Sequence, residues 1–152
     1  MAVTPPETAL RERVIAALVA EFTPEGIKFR NDKLHESMGR EGAIGGVYPG
    51  PAAPRLAQAQ VLEVTCYVQL FAKWDAEVNP KQMVEPQLIE EWAERVRRAC
   101  QQDEGAGPAT EHLWWYSVSR VEYPPDPSGN ISRLVATVTG EAQNPALVTT
   151  TG

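Results

Sequence analysis

The chain has 152 residues, about the length of one domain, for which a single core can bury roughly 70% of the unfolded surface. Its 14 Lys and Arg against 20 Asp and Glu leave a net charge of −6, which argues against a surface built mainly to grip phosphate backbones. Its 13 prolines and 11 glycines make about 16% of the chain, above the roughly 12% of average usage, so long irregular segments are expected.

Residues 1–7 carry no basic run ahead of an apolar one, and the apolar stretch Val14 to Phe22 is too short and interrupted to span a bilayer. A soluble, unexported protein is the expectation. Thr4-Pro5-Pro6-Glu7 has the form of a capping box, with Thr4 as N-cap, Pro5 at the first helical position and Glu7 reaching back. Leu10, Val14, Ala17, Leu18 and Phe22 then recur at helical spacing, and Thr23-Pro24-Glu25-Gly26 ends the helix. Ile27 to Arg30 reads as a short strand. From Asn31 to about Arg55 no period is visible, and a long glycine-rich loop is predicted. Its Ile44, Val47 and Tyr48 suit folding against a partner, with simple disorder as the alternative. Gly42-Ala43-Ile44-Gly45-Gly46 lacks the Lys-Ser/Thr ending of a phosphate loop.

Val61 to Trp74 is the clearest strand. Leu62, Val64, Cys66, Val68, Leu70, Ala72 and Trp74 share one face, and Val61, Glu63, Thr65, Tyr67, Gln69, Phe71 and Lys73 the other. That second face has the mixed character of a sheet surface that is partly covered or meets another subunit. Fourteen residues at about 3.3 Å each reach roughly 46 Å, more than the about 38 Å breadth of a compact chain of this size, so the strand must bend or project. A second helix is predicted from Pro86 to about Gln102, with Glu85 outside it and Leu88, Trp92, Val96, Ala99 and Cys100 on its buried stripe. His112 to Tyr123 and Asn130 to Glu141 read as a β-hairpin joined by Pro124-Pro125-Asp126-Pro127-Ser128-Gly129, with Leu134, Ala136 and Val138 on one side. Residues 1–142 thus make one α+β domain, a mainly antiparallel twisted sheet with two helices on one face, and 143–152 a flexible tail.

The groups that could do chemistry are few. His35-Glu36 begins like a zinc-protease motif, but Gly39 stands where the second histidine belongs. Cys100 and His112 could be imagined as nucleophile and base, yet Cys100 lies on an apolar stripe; Cys66 and Cys100 both read as reduced core thiols. Glu90 and Glu94 are one helical turn apart, but Arg97 and Arg98 beside them make a solvated charged face. Asn130-Ile131-Ser132 matches a glycosylation acceptor and, with no secretory segment expected, reads as a turn exit. No catalytic, cofactor or metal site is expected, and the protein is not read as an enzyme.

Trp114 and Trp115 are consecutive in a strand, so they should face opposite sides, leaving one tryptophan exposed or at an interface, to be covered either by a helix on the other side of the sheet or by another subunit. Arg120 and Glu122 on the Trp114 face, with Arg133 on the other hairpin strand, can form cross-strand pairs or bridge subunits. Tyr48, Tyr67, Phe71, Trp114, Arg120, Glu122 and Arg133 are therefore the candidate interface residues.

The run Trp115-Tyr116-Ser117-Val118-Ser119-Arg120-Val121-Glu122-Tyr123-Pro124-Pro125-Asp126-Pro127-Ser128-Gly129-Asn130-Ile131-Ser132-Arg133 resembles the C-terminal hairpin of small tail terminator proteins from long-tailed bacteriophages, especially those of actinobacteria. The order of elements from residue 5 to 142 agrees, although the hairpin is its specific part. The resemblance implies a homo-hexameric ring that caps the tail tube, halts its polymerisation and meets the head connector, or stopper, protein. It places the protein in the virion, at the head-proximal end of the tail, after assembly in the host cytoplasm. DNA would pass through the bore without being bound. The resemblance carries over no active residues and implies no cofactor. Another head-to-tail joining protein, a stopper or a tube protein, is the nearest alternative, and a small ligand-binding or enzymatic α/β domain a more distant one.

Overall fold

The first helix, α1 (Pro6–Glu21), begins one residue later than the capping pattern suggests. The reason is steric. A residue that precedes proline is pushed out of the helical region, and Pro5 precedes Pro6. Pro5 accordingly sits in extended geometry at the N-cap (φ −56°, ψ 144°), with no side-chain cap, and Pro6 takes the first helical position. Glu7 becomes the second helical residue, too early for the box; Thr4 lies outside the described residues. The computed structural model describes residues 5–34, 43–55, 58–73, 85–101, 113–125 and 131–144.

After one 3-10 turn (Thr23–Glu25), the chain enters β1 (Phe29–Arg30), shorter than expected, and then β2 (Ala43–Arg55). β2 overturns the reading of residues 31–55 as one long loop; residues 35–42 of that stretch lie outside the described residues. Its glycines and prolines hide the period of a strand, but each has a place. A side chain on Gly45 would overlap the Phe29 ring, and one on Gly46 the Leu34 side chain and the Asp32 carbonyl, so the segment from Phe29 to Leu34 lies directly on the β2 backbone.

The remaining elements are β3 (Gln58–Lys73), α2 (Glu85–Ala99), β4 (Leu113–Glu122) and β5 (Ile131–Gln143). The sheet order is β1-β2-β3-β5-β4, antiparallel except for the parallel β1–β2 pair. α2 includes Glu85, which was expected outside it. Trp74, His112 and the hairpin tip from Asp126 to Asn130 lie outside the described residues. β5 continues past the expected end at Glu141, and the Asn144 amide donates to the Gln60 carbonyl (2.8 Å), so residues 143 and 144 belong to the sheet rather than to a tail. β3 starts before β5 ends: its pairing with β5 begins at Val61, whereas its pairing with β2 begins at Gln58. From Val61 to Lys73 β3 is thus flanked by β5 without a shift, and the Asn144 bond carries this contact on to Gln60, so only Gln58 and Ala59 lie beyond β5.

Both helices pack on one face of the sheet. Leu62, Val64, Cys66, Val68, Leu70 and Ala72 of β3 meet Leu10, Val14, Leu18 and Phe22 of α1 and Leu88, Trp92, Val96 and Cys100 of α2, as the two periods predicted. Leu134, Ala136 and Val138 are fully buried in the same core. Phe22 joins the layers, its ring centroid 5.8 Å from Trp92 edge-on and 5.7 Å from Phe29. Cys66 and Cys100 are unpaired and buried. Burial pushes the Cys66 thiol up to about 12 and raises that of Cys100 as well, so neither offers a thiolate at neutral pH.

Arg95 fastens α2 to the end of α1. Its guanidinium lies 4.2 Å from the Phe22 ring centroid, donates to Glu21 Oε1 (3.1 Å) and the Glu21 carbonyl (2.7 Å), and holds Glu25 through two nitrogens (2.5 and 3.0 Å). Hydrogen bonds from Arg95 keep both carboxyls below the usual range. The contribution of a carboxylate with a lowered folded pKa is fully present above the unfolded value, about 4.3, and is lost as pH falls through the folded one. Arg95→Ala should therefore cost about 1.5–3 kcal/mol at neutral pH, the range for hydrogen bonds to charged groups. The difference from the parent in urea denaturation should shrink below about pH 4 as Glu21 and Glu25 protonate; a difference that stays constant into acid would show that packing on Phe22 alone accounts for it.

Candidate functional site

The sheet has a second face, away from both helices, and strand register defines its rows. Tyr48 of β2, Tyr67 of β3, Thr137 of β5 and Arg120 of β4 lie side by side. The next row holds Gln69, Val135 and Glu122, and beyond it Ile44, Phe71 and Arg133 follow. On the other side of the tyrosine row come Thr65, Thr139 and Ser117, then Ala53, Glu63, Glu141 and Trp115. Six of the seven candidate residues, all except Trp114, thus occupy one surface though drawn from four strands.

One end of this face is roofed. The Leu34 amide donates to Gln69 Oε1 (2.7 Å), and Leu34 packs with Ile44 and Phe71 in a small cluster separate from the main core. Phe71 is consequently buried, only 6% exposed, and lies covered by Leu34 rather than offering itself to a partner. The Arg133 guanidinium lies 5.3 Å from the Phe71 ring centroid. In the middle, Tyr48 and Tyr67 form a tilted pair with centroids 5.2 Å apart, and Lys33 Nζ sits 5.6 Å from the Tyr48 ring centroid. Burial raises the pKa of the Tyr48 hydroxyl, with the nearby Tyr67 adding to the shift. Thr65, Thr137, Thr139, Ser117 and Val135 are half-buried around the pair, while Arg120 and Glu122 are exposed and joined by a 2.6 Å ion pair along β4.

Trp114 departs from the expected alternation. Between Leu113, opposite Ala142, and Trp115, opposite Glu141, β4 carries one extra residue, and a second irregularity falls between Val118 and Arg120. A bulge shifts every later side chain to the other face. Leu113 and Tyr116, three residues apart, therefore both enter the core, while Trp115 rather than Trp114 shares the face of Arg120 and Glu122. Trp114 and Trp115 are both half-buried. Of the three charged residues expected to pair across strands or bridge subunits, Arg120 and Glu122 pair along one strand, and Arg133 lies over Phe71.

Hydroxyl and aromatic groups at half burial, rimmed by charge of both signs, suit a flat protein surface. Among the described residues no three His, Cys, Asp or Glu side chains are grouped to hold a metal ion, and no helix is long and apolar enough to cross a membrane. His35 and His112 lie outside the described residues, and with them the two motifs weighed above. Sequence reasoning missed Lys33 and the covering role of Leu34, because both depend on the strand register of β2. No protein-family profile matches the chain, and no curated protein matches it significantly.

Proposed function

We propose that this chain is a structural subunit that closes into a ring through the helix-free sheet face, caps the tail tube of a long-tailed bacteriophage and meets the head connector. The observation that carries the assembly part is the gathering of Tyr48, Tyr67, Arg120, Glu122 and Arg133 from four strands onto one surface. The phage part rests on the likeness of the hairpin from Trp115 to Arg133. A ring needs a contact between two different patches that closes on itself, and a sheet face meeting a neighbour's flank is of that kind. Six copies at −6 each carry about −36, which repels DNA in a bore and lets it slide.

Electron microscopy of the purified chain mixed with the phage's tail tube protein tests this reading. Capped tubes of defined length are expected; tubes that grow without limit, or that carry no cap, would reject termination. Thr137→Arg places a cation beside Arg120 at the centre of the face. It should abolish the ring in sedimentation or native mass measurements while the far-ultraviolet spectrum and melting temperature hold; an intact ring would move the contact elsewhere.

A further inference from the structure

The direction of each main-chain group along the outer side of β2 follows from the register. Gly45 N–H donates to the Lys28 carbonyl (2.9 Å), away from β3, and Gly45 stands opposite Leu70. Pro49, four residues on and opposite Cys66, has the same orientation. A bulge follows between Pro49 and Ala52, but β3 itself pairs with β5 from Val61 to Lys73 without a shift. Val64 and Leu62 therefore keep the orientation of Cys66, and their partners Ala52 and Pro54 turn their main-chain groups outward like Pro49. Beyond β1, the outward positions of β2 are thus Pro49, Ala52 and Pro54, and two of the three have no N–H. Pro49, Ala52 and Pro54 are all exposed, and among the described residues only β1 pairs with this side of β2.

An open strand edge is a template for a second copy of the same chain, and edge-to-edge addition that does not close yields fibres. We infer that Pro49 and Pro54 block this edge against a second copy, so that β2 takes no part in strand addition and copies meet through faces instead. The inference does not depend on the ring: a monomer with the same edge needs the same protection.

The test is the full-length double variant Pro49→Val/Pro54→Thr, which restores both donors with residues that favour strands. Its weight-average mass in sedimentation should climb with concentration beyond that of the parent, with an added intermolecular β-sheet band in the infrared. A folded variant whose mass follows the parent at every concentration overturns the inference. Should the variant not fold, hydrogen exchange in the parent decides. The Ala52 amide should exchange rapidly and the Tyr48 amide, which faces β3, slowly; a protected Ala52 amide would mean that the edge is already occupied.

Discussion

Trp92→Ala should lower the stability of the chain by about 3–5 kcal/mol, the range for deleting a large aromatic side chain from a core. Trp92 is 2% exposed at the centre of α2, and its ring meets Phe22 edge-on, where α1, α2 and the turn into β1 come together. The cavity lies between two helices and a sheet that is fixed by main-chain bonds, so the walls have little freedom to collapse. Set against the 5–15 kcal/mol that holds a typical domain, the loss removes a large share of the total. Urea denaturation followed by circular dichroism gives the number. Trp92→Phe keeps a ring to meet Phe22 and should recover more than half of it. A loss below about 1 kcal/mol for the alanine variant would show that α2 is seated by its ion pairs with α1 and not by this side chain. Such a loss in Trp92→Ala is also separable from failed assembly, because the sheet face carrying Tyr67 and Thr137 lies on the other side of β3 and β5.

What the sequence made legible follows the physics of each element. α1, α2 and β3 declare themselves because burial repeats at 3.6 or 2 residues, and every apolar residue assigned to the described part of the β3 stripe is in fact buried. β2 did not, because its apolar residues are few and its glycines and prolines look like loop punctuation. Proline breaks a strand only where an N–H is needed, and at Pro49 and Pro54 the missing groups point away from β3. The candidate face was half legible. Tyr67 and Phe71 followed from the period of β3, and Arg120 and Glu122 were correctly set on one face with each other. Their relation to Trp114 was not, since parity holds only in an unbroken ladder and β4 has two irregularities. Phe71 was placed correctly by parity and misjudged in exposure, because the cover over it comes from Leu34, thirty-seven positions away in sequence.

The bulge that displaced Trp114 also makes the second large prediction. Gly140 of β5 lies opposite Tyr116 and Val64, in the middle of the ladder. A side chain built there would overlap the Trp115 carbonyl oxygen and come within 2.9 Å of Tyr116 Cβ. The extra residue in β4 brings its backbone down onto β5, and only the absence of a Cβ at position 140 leaves room. Gly140→Val should therefore destabilise by about 3 kcal/mol, the upper end of overpacking costs, even though valine favours strands by up to about 1 kcal/mol over glycine. The sign is decided by what must move. A flexible side chain could swing aside, but a carbonyl within a paired strand can shift only by loosening the pairing of Leu113 to Ser117 with β5. Chemical denaturation should show the loss, and hydrogen exchange should show faster amides in Trp115 and Ser117 while those of β3 stay protected. If the valine variant were instead as stable as the parent, the bulge would be an adaptable feature of β4, and the turning of both Leu113 and Tyr116 into the core would be adjustable with it.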